Sequence, residues 1–382
     1  MATFFDPTPE ERRALEQIAN QIPDVQQKLV RNHPQLTTPD RAAHQMQLAG
    51  SKVVLTVADT LPAELDGLGI FQRSSQPRIG IGRMSTGLGC PHAETNADFL
   101  GLMVAFRTNE GRRVDFVTIN DPTSPTDTPE EFLALLRATA DSASADDQLG
   151  SQALLLAGLA RHARLRAPAI ALHVTGQTLR TVRSSSAYQQ YWTGIVRARN
   201  VLGKFTFVPG IEVRPLAGAS RGPTHLTADW HARQGTGPLE FELRWIPYLN
   251  DRDTSLDDLT KAWKNDHEVT VGTVTFPKTD FDSIDGKLTE LLASELGANP
   301  GNWLETPGST GDALPATRFT AARQLAYRAS QAARGALADE RYHSFFERGE
   351  ISGVLAAELV RRYQHKRAAG HWVPNVGDVT LV

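Results

Sequence analysis

The chain of 382 residues has a single cysteine and no long hydrophobic run, and each of these shortages excludes a class of protein. With Cys90 alone, neither an internal disulfide framework nor a multi-cysteine metal site can form. A membrane span is not expected, because a bilayer-crossing helix needs about 18 or more consecutive apolar residues. The net charge of −3 gives no general attraction to nucleic acid or to an anionic membrane.

Two further absences narrow the possibilities. The chain begins MATFFDPTPEERRALEQ, in which charged residues stand where a secretory signal needs an apolar stretch. The 11 histidines include no HExxH motif and no pair spaced three or four residues apart, which argues against a zinc site. We therefore expect a cytoplasmic protein that has no nucleic-acid partner.

What is present is the composition of a folded globular protein, with 40% hydrophobic and 22% charged residues. Short runs of β-branched residues predict strands at 52–58, 69–72, 77–83, 102–108, 113–119, 204–208, 239–248 and 268–276. Helices are predicted for the first thirty residues, where Thr8 caps and Pro23 interrupts, after Thr38-Pro39-Asp40, at 130–140, at 148–164 and over most of the chain beyond Ser283. The pattern predicts an α+β protein with antiparallel strands in the middle and helices at both ends.

The C-terminal segment TRFTAARQLAYRASQAARG contains the most informative group of side chains. On a helix, Arg323, Tyr327 and Arg334 stand within about 40° of one face. An arginine one turn from a tyrosine favours the phenolate, which is the form that binds ferric iron. Holding a tyrosine ionised at neutral pH costs about 4 kcal/mol, which exceeds what one arginine supplies and which a trivalent metal can complete. The alternative is a surface helix face with arginines that extend into solvent.

This triplet is one of four segments that, in the same order, resemble motifs of the haem catalase superfamily. Arg41-Ala42-Ala43-His44 is similar to the Arg-x-x-His motif of the family, and Arg83-Met84-Ser85-Thr86 is similar to its Arg-Phe-Ser-Thr strand. The second segment leads into ADFLGLMVAFRTNEGRRVDFVTIND at 97–121, which is also similar to the family. The other two segments are Leu-Thr-Lys-Ala-Trp at 259–263 with Val-Gly-Thr-Val at 271–274, and Arg323-xxx-Tyr327 with Arg334. The resemblance spans roughly residues 38 to 336.

The resemblance implies a role for each matching residue. Tyr327 would be the axial iron ligand of haem b (iron protoporphyrin IX), as tyrosinate, and Arg323 would hydrogen-bond its oxygen. His44 would be the distal acid and base, and Ser85 would support it. The remaining residues would bind the haem propionates or lie near the substrate channel: Arg41, Arg83 and Arg334 for the former, Asp98 for the latter.

Asn120 is the expected distal asparagine, which would polarise the bound peroxide. The family has two adjacent asparagines at this place, whereas Ile119-Asn120 preserves one. A strict alignment makes Asn120 the second of the pair, and the alternative is a turn asparagine before Asp121-Pro122.

Departures from the family pattern bear on activity. Ala42 and Ala43 replace bulky residues, and DPTSPTDTPEEF replaces a segment with a phenylalanine pair near the haem. We therefore expect a haem-dependent oxidoreductase that reacts with hydrogen peroxide or organic hydroperoxides through a ferryl intermediate, with weak catalase activity and stronger peroxidase or peroxygenase activity towards a small organic substrate. The alternatives are rearrangement of a fatty-acid hydroperoxide of the allene oxide synthase type, and a non-catalytic haem sensor or carrier.

The resemblance also implies an architecture. We expect an N-terminal helical arm at 1–36 and a catalase-like haem-binding domain at 37–382. In that domain an antiparallel β-barrel would occupy about 50–280, and a helical segment with the proximal tyrosine would occupy about 283–366. Because the family commonly assembles, a homo-oligomer is expected.

Overall fold

A closed barrel of antiparallel strands lies at the centre of the structure, a computed structural model. The structure describes residues 5–33, 36–74, 76–96, 98–144, 148–181, 185–210, 222–264, 267–303 and 315–379. The strands are β1 (Gln47–Val57), β2 (Arg78–Thr86), β3 (Leu100–Arg107), β4 (Arg113–Ile119), β5 (Tyr191–Thr193), β6 (Val196–Ala198), β7 (Val201–Pro209), β8 (Leu239–Pro247) and β9 (Val269–Phe276). Their order is β5-β4-β3-β2-β1-β9-β8-β7, and pairing of β5 with β7 closes the barrel, while β6 pairs farther along β7.

Successive side chains of each strand point alternately into and out of the barrel, and the inward ones fill it with aromatic rings. In β4, Phe116 points inward, and its ring contacts those of Phe205 and Phe207 edge-on at centroid distances of 5.3 and 5.5 Å. Asp115 and Val117, its neighbours in sequence, face the outside of the barrel, where Val117 packs against a second core. The barrel interior is therefore a packed core, and a binding site has to lie outside it.

Ten α-helices are described around the barrel. They are α1 (Pro9–Ala19), α2 (Ile22–Asn32), α3 (Pro129–Ser142), α4 (Gln148–Ala163), α5 (Ala167–Thr181), α6 (His225–Thr236), α7 (Ile284–Glu295), α8 (Arg318–Arg334), α9 (His343–Arg348) and α10 (Gly353–Ala368). Short 3-10 turns lie at Gly69–Phe71, Arg164–Arg166, Ser186–Tyr188 and Asp339–Tyr342. Within the described ranges, no helix has the length and apolar character that crossing a membrane requires.

Two sets of helices cover different sides of the barrel. Helices α7, α9 and α10 bury Leu292, Phe345 and Leu359 together with Ile81 and Met103 on the outer face of β2 and β3. Helices α1 and α2 instead pack against α8. These contacts hold α8 in place, and with it the side chains that it presents to the barrel.

The amino-terminal helices form as the capping signals predict. The Thr8 hydroxyl accepts a hydrogen bond from the backbone N–H of Glu11, and the Glu11 carboxylate accepts one from the N–H of Thr8, which is a capping box. The helix ends at Ala19, and Pro23 stands in the first turn of α2, where its missing N–H costs nothing. The helical character predicted for this part of the chain, with a break near Pro23, is confirmed.

Several other local predictions can be compared with the structure. The hairpin at 107–113 is confirmed, with Arg107 paired to Arg113 and Gly111 at a φ of 77°. The strand predicted at 69–72 is wrong, since Gly69 adopts a φ of 52° and begins a 3-10 turn. The helix predicted after Thr38-Pro39-Asp40 is also wrong, because His44 has a φ of 55°, which a right-handed helix excludes. Helices α5 and α6 were not predicted.

Candidate functional site

A cavity of about 790 Å³ lies between the outer face of the barrel and helix α8. The barrel side includes Ser85 of β2, Gly101 of β3 and Val117 of β4, and the helix side includes Tyr327. Val117 lines the cavity because every second residue of β4 faces outward. A cavity of this size lies in the range that small-molecule and cofactor sites occupy.

His44 lines this cavity from the segment that precedes β1. Its backbone is left-handed, a conformation that non-glycine residues rarely adopt. Two contacts hold it there: the His44 N–H donates to the Gly87 carbonyl at 2.8 Å, and the Arg83 guanidinium donates to the His44 carbonyl at 2.9 Å. Backbone strain that the surroundings fix in this way is concentrated at functional sites.

A hydroxyl orients the imidazole ring of His44. Its Nδ1 lies 3.2 Å from the Oγ of Ser85, and that hydroxyl donates to the carbonyl of Gly101 at 3.4 Å. Because the hydroxyl proton is directed at Gly101, the oxygen is left to accept a hydrogen bond from Nδ1–H. This tautomer leaves the lone pair on Nε2, where it can accept a proton.

The surroundings keep the imidazole neutral. Burial lowers the pKa of His44 from 6.5 to about 4. This net shift includes the negative charge of Asp98, which opposes the effect of burial, and the positive charges of Arg83 and Arg323, which add to it. A neutral imidazole above pH 5 is a base that is ready to take up a proton.

Tyr327 and Arg323 lie one turn apart on α8 and both line the cavity. The Arg323 Nη2 donates to the Tyr327 hydroxyl oxygen at 3.4 Å, and the guanidinium carbon lies 5.6 Å from the centre of the ring. The guanidinium is thus a charged donor directed at the Tyr327 oxygen.

Three more arginines meet at one end of the cavity. Arg334 donates to the Leu296 carbonyl at 3.0 Å, and Arg41 donates to the Ser294 carbonyl at 2.6 Å. Arg83 is buried against the carbonyls that surround His44. Backbone carbonyls carry no formal charge, so these contacts leave the three positive charges unneutralised.

Positive charge is in excess at this end of the cavity. Burial lowers the pKa of Arg334 to about 10, and repulsion by Arg41 adds to that effect. Burial, together with Arg41 and Arg334, also lowers the pKa of Arg83 well below its usual range. Two carboxylates are nearby: Asp40, 3.8 Å from Arg41, and Glu295, which is already paired with Arg362 and Lys366. Among the described residues, nothing hydrogen-bonds the buried Nη1 of Arg334. An anionic group with several oxygens would satisfy this arrangement.

The cavity brings together eight of the nine predicted site residues: Arg41, His44, Arg83, Ser85, Asp98, Arg323, Tyr327 and Arg334. Asn120 is the exception. Its side-chain carbonyl accepts from the Leu100 N–H at 2.8 Å, and its amide donates to Gln189. Ile119 lines the cavity instead, because it shares the outward face of β4 with Val117.

Asp98 lines the cavity, as the resemblance implies for a channel residue, and it has a partner that sequence reasoning missed. The Nε2 of His92 lies 2.9 Å from the Oδ2 of Asp98, which also accepts from the Leu88 N–H at 2.9 Å. Burial lowers the pKa of His92, but the hydrogen bond and charge of Asp98 outweigh it, so the pKa is raised. No sequence pattern reveals this pair, because both residues lie in an irregular segment.

Comparison with solved structures identifies proteins of similar fold. A fungal catalase superposes with a TM-score of 0.59 at 16% identity, over 81% of this chain and 61% of the catalase. A bacterial catalase gives 0.58 at 19% identity, over 78% of this chain and 58% of the catalase. Catalase A from Saccharomyces cerevisiae gives 0.58 at 14% identity, over 81% and 63%.

These matches confirm the predicted fold class, an α+β protein with a catalase-like antiparallel barrel flanked by helices. The chain spans about six tenths of the length of these catalases. No family model matches the sequence, and no curated protein matches it. At identities below 20%, the likeness shows the fold, and function has to be argued from the site.

Proposed function

We propose that this chain binds haem b (iron protoporphyrin IX) in the cavity between the barrel and α8, and that it is an oxidoreductase acting on hydrogen peroxide or organic hydroperoxides. The observation that carries the proposal is the placement of His44 and of the Arg323–Tyr327 pair around one cavity. The imidazole belongs to the barrel side of the cavity and the tyrosine to the helix side, so a ligand bound in the cavity could contact both.

The residues present fit haem. Its two propionates are carboxylates that would neutralise the cluster of Arg41, Arg83 and Arg334. One of them would accept a hydrogen bond from the Nη1 of Arg334, which has no partner among the described residues. Tyr327 would supply the oxygen ligand that a ferric iron prefers, and Arg323 would hydrogen-bond that oxygen. When bound, haem supplies the electrons with which the O–O bond of a peroxide is cleaved.

The residues of the chain then handle the proton. Neutral His44 takes a proton from the incoming peroxide at Nε2 and returns it to the departing oxygen atom. Ser85 holds the ring through Nδ1, so Nε2 keeps one direction during both transfers. Asn120 has no part in this proposal, since its amide is engaged with Leu100 and Gln189.

The shape of the cavity favours organic substrates over disproportionation. Ala42, Ala43 and Ile119 line the cavity on the side of His44, and none of them offers a hydrogen bond to a second peroxide molecule from its side chain. Small and apolar side chains leave room for a bulkier molecule. We therefore infer a peroxidase or peroxygenase with weak catalase activity.

Rearrangement of a fatty-acid hydroperoxide is a second candidate, favoured by one observation. The cavity extends between α3, α4 and α5, where its walls include Leu135, Leu136, Leu155 and Val174 as well as a few polar side chains such as Ser151 and Gln152. A long hydrocarbon chain would fit such walls, and it would bring its hydroperoxide to His44.

Absorption spectroscopy tests the proposal. The purified chain, incubated with hemin, should give one tightly bound ferric haem per chain and a rapid spectral change on addition of peroxide. Tyr327→Phe should alter the ferric spectrum and weaken binding, whereas Tyr248→Phe, whose hydroxyl donates to Asp251, should match the parent. His44→Gln should keep the haem and slow the reaction with peroxide.

The outcomes separate the candidates. Oxidation of an added donor supports the peroxidase, conversion of a lipid hydroperoxide without a donor supports the isomerase, and haem uptake without reaction supports a sensor or carrier. If the chain takes up no hemin, or if Tyr327→Phe binds it with an unchanged spectrum, the proposal is wrong.

A further inference from the structure

The two helices α4 and α5 and the turn between them expose an unusual number of apolar side chains. This α4–α5 hairpin (148–181) displays Leu156 at 51%, Leu172 at 77% and Leu165 at 96% of full exposure. The other outward residues of the two helices are mostly small and apolar: Ala153, Leu154, Ala157, Ala160, Pro168, Ala169 and Gly176. Contiguous apolar surface of this kind marks an interaction site.

The exposed leucines are not a consequence of a poorly packed helix. The inner side of α4 packs closely on α3, where a Cβ on Gly158 would lie 2.8 Å from the Cα of Ala138. Leu159 is fully buried, together with Ile170 and Val174 of α5. The hairpin therefore has an ordinary core-facing side, and its outer side is apolar in addition.

The charge on the hairpin has one sign. From 148 to 211 the sequence contains no Asp or Glu, although the whole chain has a net charge of −3. The turn carries Arg164 and Arg166 on either side of Leu165, with Arg161 one turn earlier. Arg161 and Arg166 lean towards Asp141 and Glu131 of α3, but both remain at least half exposed.

We propose that the α4–α5 hairpin docks onto an anionic lipid surface, with its leucines in the interfacial layer and its arginines against the lipid headgroups. Apolar side chains interleaved with arginines and free of acidic residues are what such a surface binds. Each arginine near an anionic membrane adds to the electrostatic attraction. A second copy of the chain fits less well, since this face offers no carboxylate to the arginines of a symmetric partner.

Docking in this way would also orient the cavity. Gln152 of α4 and Thr175 of α5 are exposed and line the cavity, so it reaches the surface between these two helices. A membrane-bound hairpin would place this opening at the lipid surface, where an apolar substrate could enter without crossing water. The docking itself does not depend on haem, so it can be tested separately from the proposed function.

Vesicle sedimentation tests the docking. The full chain should bind vesicles of mixed phosphatidylcholine and phosphatidylserine, bind phosphatidylcholine vesicles much less, and be released by salt. The triple variant L156Q/L165Q/L172Q should lose at least about tenfold in affinity, because each leucine contributes apolar burial. The control L249Q/I284Q/V354Q replaces three exposed aliphatic residues elsewhere, at 40%, 43% and 80% exposure, and should bind as the parent does.

A separate variant tests the contribution of the arginines to vesicle binding. R161Q/R164Q/R166Q should remove the preference for phosphatidylserine while it keeps residual binding through the leucines. Thermal unfolding of every variant checks that the fold is intact. Absence of binding to the mixed vesicles, equal binding by L156Q/L165Q/L172Q, or an oligomer that only this variant dissociates would overturn the proposal; the last result would identify a second copy as the occupant.

Discussion

The imidazole ring of His44 lies directly over Gly101 of β3. A Cβ at Gly101 would stand 2.5 Å from the Cε1 of His44 and 2.6 Å from its Nδ1, closer than non-bonded carbon and nitrogen atoms approach. Glycine is therefore required at this position for the ring to rest against the barrel wall and reach Ser85. The position of His44, the proposed acid and base, therefore depends on residue 101 having no side chain.

Gly101→Ala should displace the imidazole and break its contact with Ser85, which is 3.2 Å long in the parent. We expect the haem-loaded variant to react with peroxide about 10 to 100 times more slowly, since a displacement of about 1 Å at a catalytic group has effects of that size. Stopped-flow absorption measures the rate. Gly235→Ala in α6 is the control, since its Cβ would lie 3.8 Å from its nearest neighbour, the Thr279 carbonyl. A parent-like rate for Gly101→Ala would contradict the placement of His44.

Protonation of His44 should make the cofactor-free chain less stable in acid. Burial lowers the pKa of His44 from 6.5 to about 4, so between these values the unfolded chain binds a proton that the folded chain does not. The stability is therefore fully present above pH 6.5 and falls as the pH drops through this window. Linkage gives a loss of about 2 kcal/mol between pH 7 and pH 5 from this residue alone.

Denaturant unfolding at the two pH values measures this loss in the parent and in His44→Gln. The variant has no titrating group at this position, so its loss should be smaller by about 2 kcal/mol, and the contributions of other groups cancel in the comparison. Equal losses in both proteins would show that the imidazole is not buried in neutral form.

The sequence was sufficient for those parts of the site that depend on local periodicity. Arg323 and Tyr327 belong to one helix, so their spacing of four residues places them on one face whatever the rest of the chain does. The break near Pro23 and the hairpin at Gly111 are local in the same sense, and the structure has both.

Two features of the structure could not be predicted from the sequence. One depends on which face of a strand each residue occupies, and the other depends on contacts between distant segments. Whether Ile119 or Asn120 faces the cavity depends on the register of β4, because a shift of one residue reverses every side chain of a strand. The exposure of Leu165 is likewise a property of the whole fold. Its leucine-rich surroundings resemble a buried helix in sequence, and only the packing of α3 shows which side is covered.

Cys90 should be inert although it lines the cavity. Burial raises the pKa of its thiol to about 12, and the negative charge of Asp98 adds to this effect. At pH 8 about one molecule in ten thousand would carry the reactive thiolate, so an aromatic disulfide reagent should label the native protein slowly and the unfolded protein at once. Rapid labelling of the native chain at pH 8 would contradict the burial of Cys90.

Arg334 should strengthen haem binding and lower the stability of the cofactor-free protein. Its guanidinium is buried beside Arg41, and its Nη1 has no hydrogen-bond partner among the described residues, so Arg334→Met should raise the free energy of unfolding of the cofactor-free chain by about 1 kcal/mol. The same variant should bind hemin at least about tenfold more weakly, because a charged pair with a propionate is lost. Hemin dimethyl ester has no carboxylate and should bind the parent and the variant alike. Arg328→Met, an exposed position on the same helix, controls for loss of charge on α8. If Arg334→Met binds hemin and its ester with the same affinities as the parent, then Arg334 does not face a propionate, and the arginine cluster has to be explained by another anion.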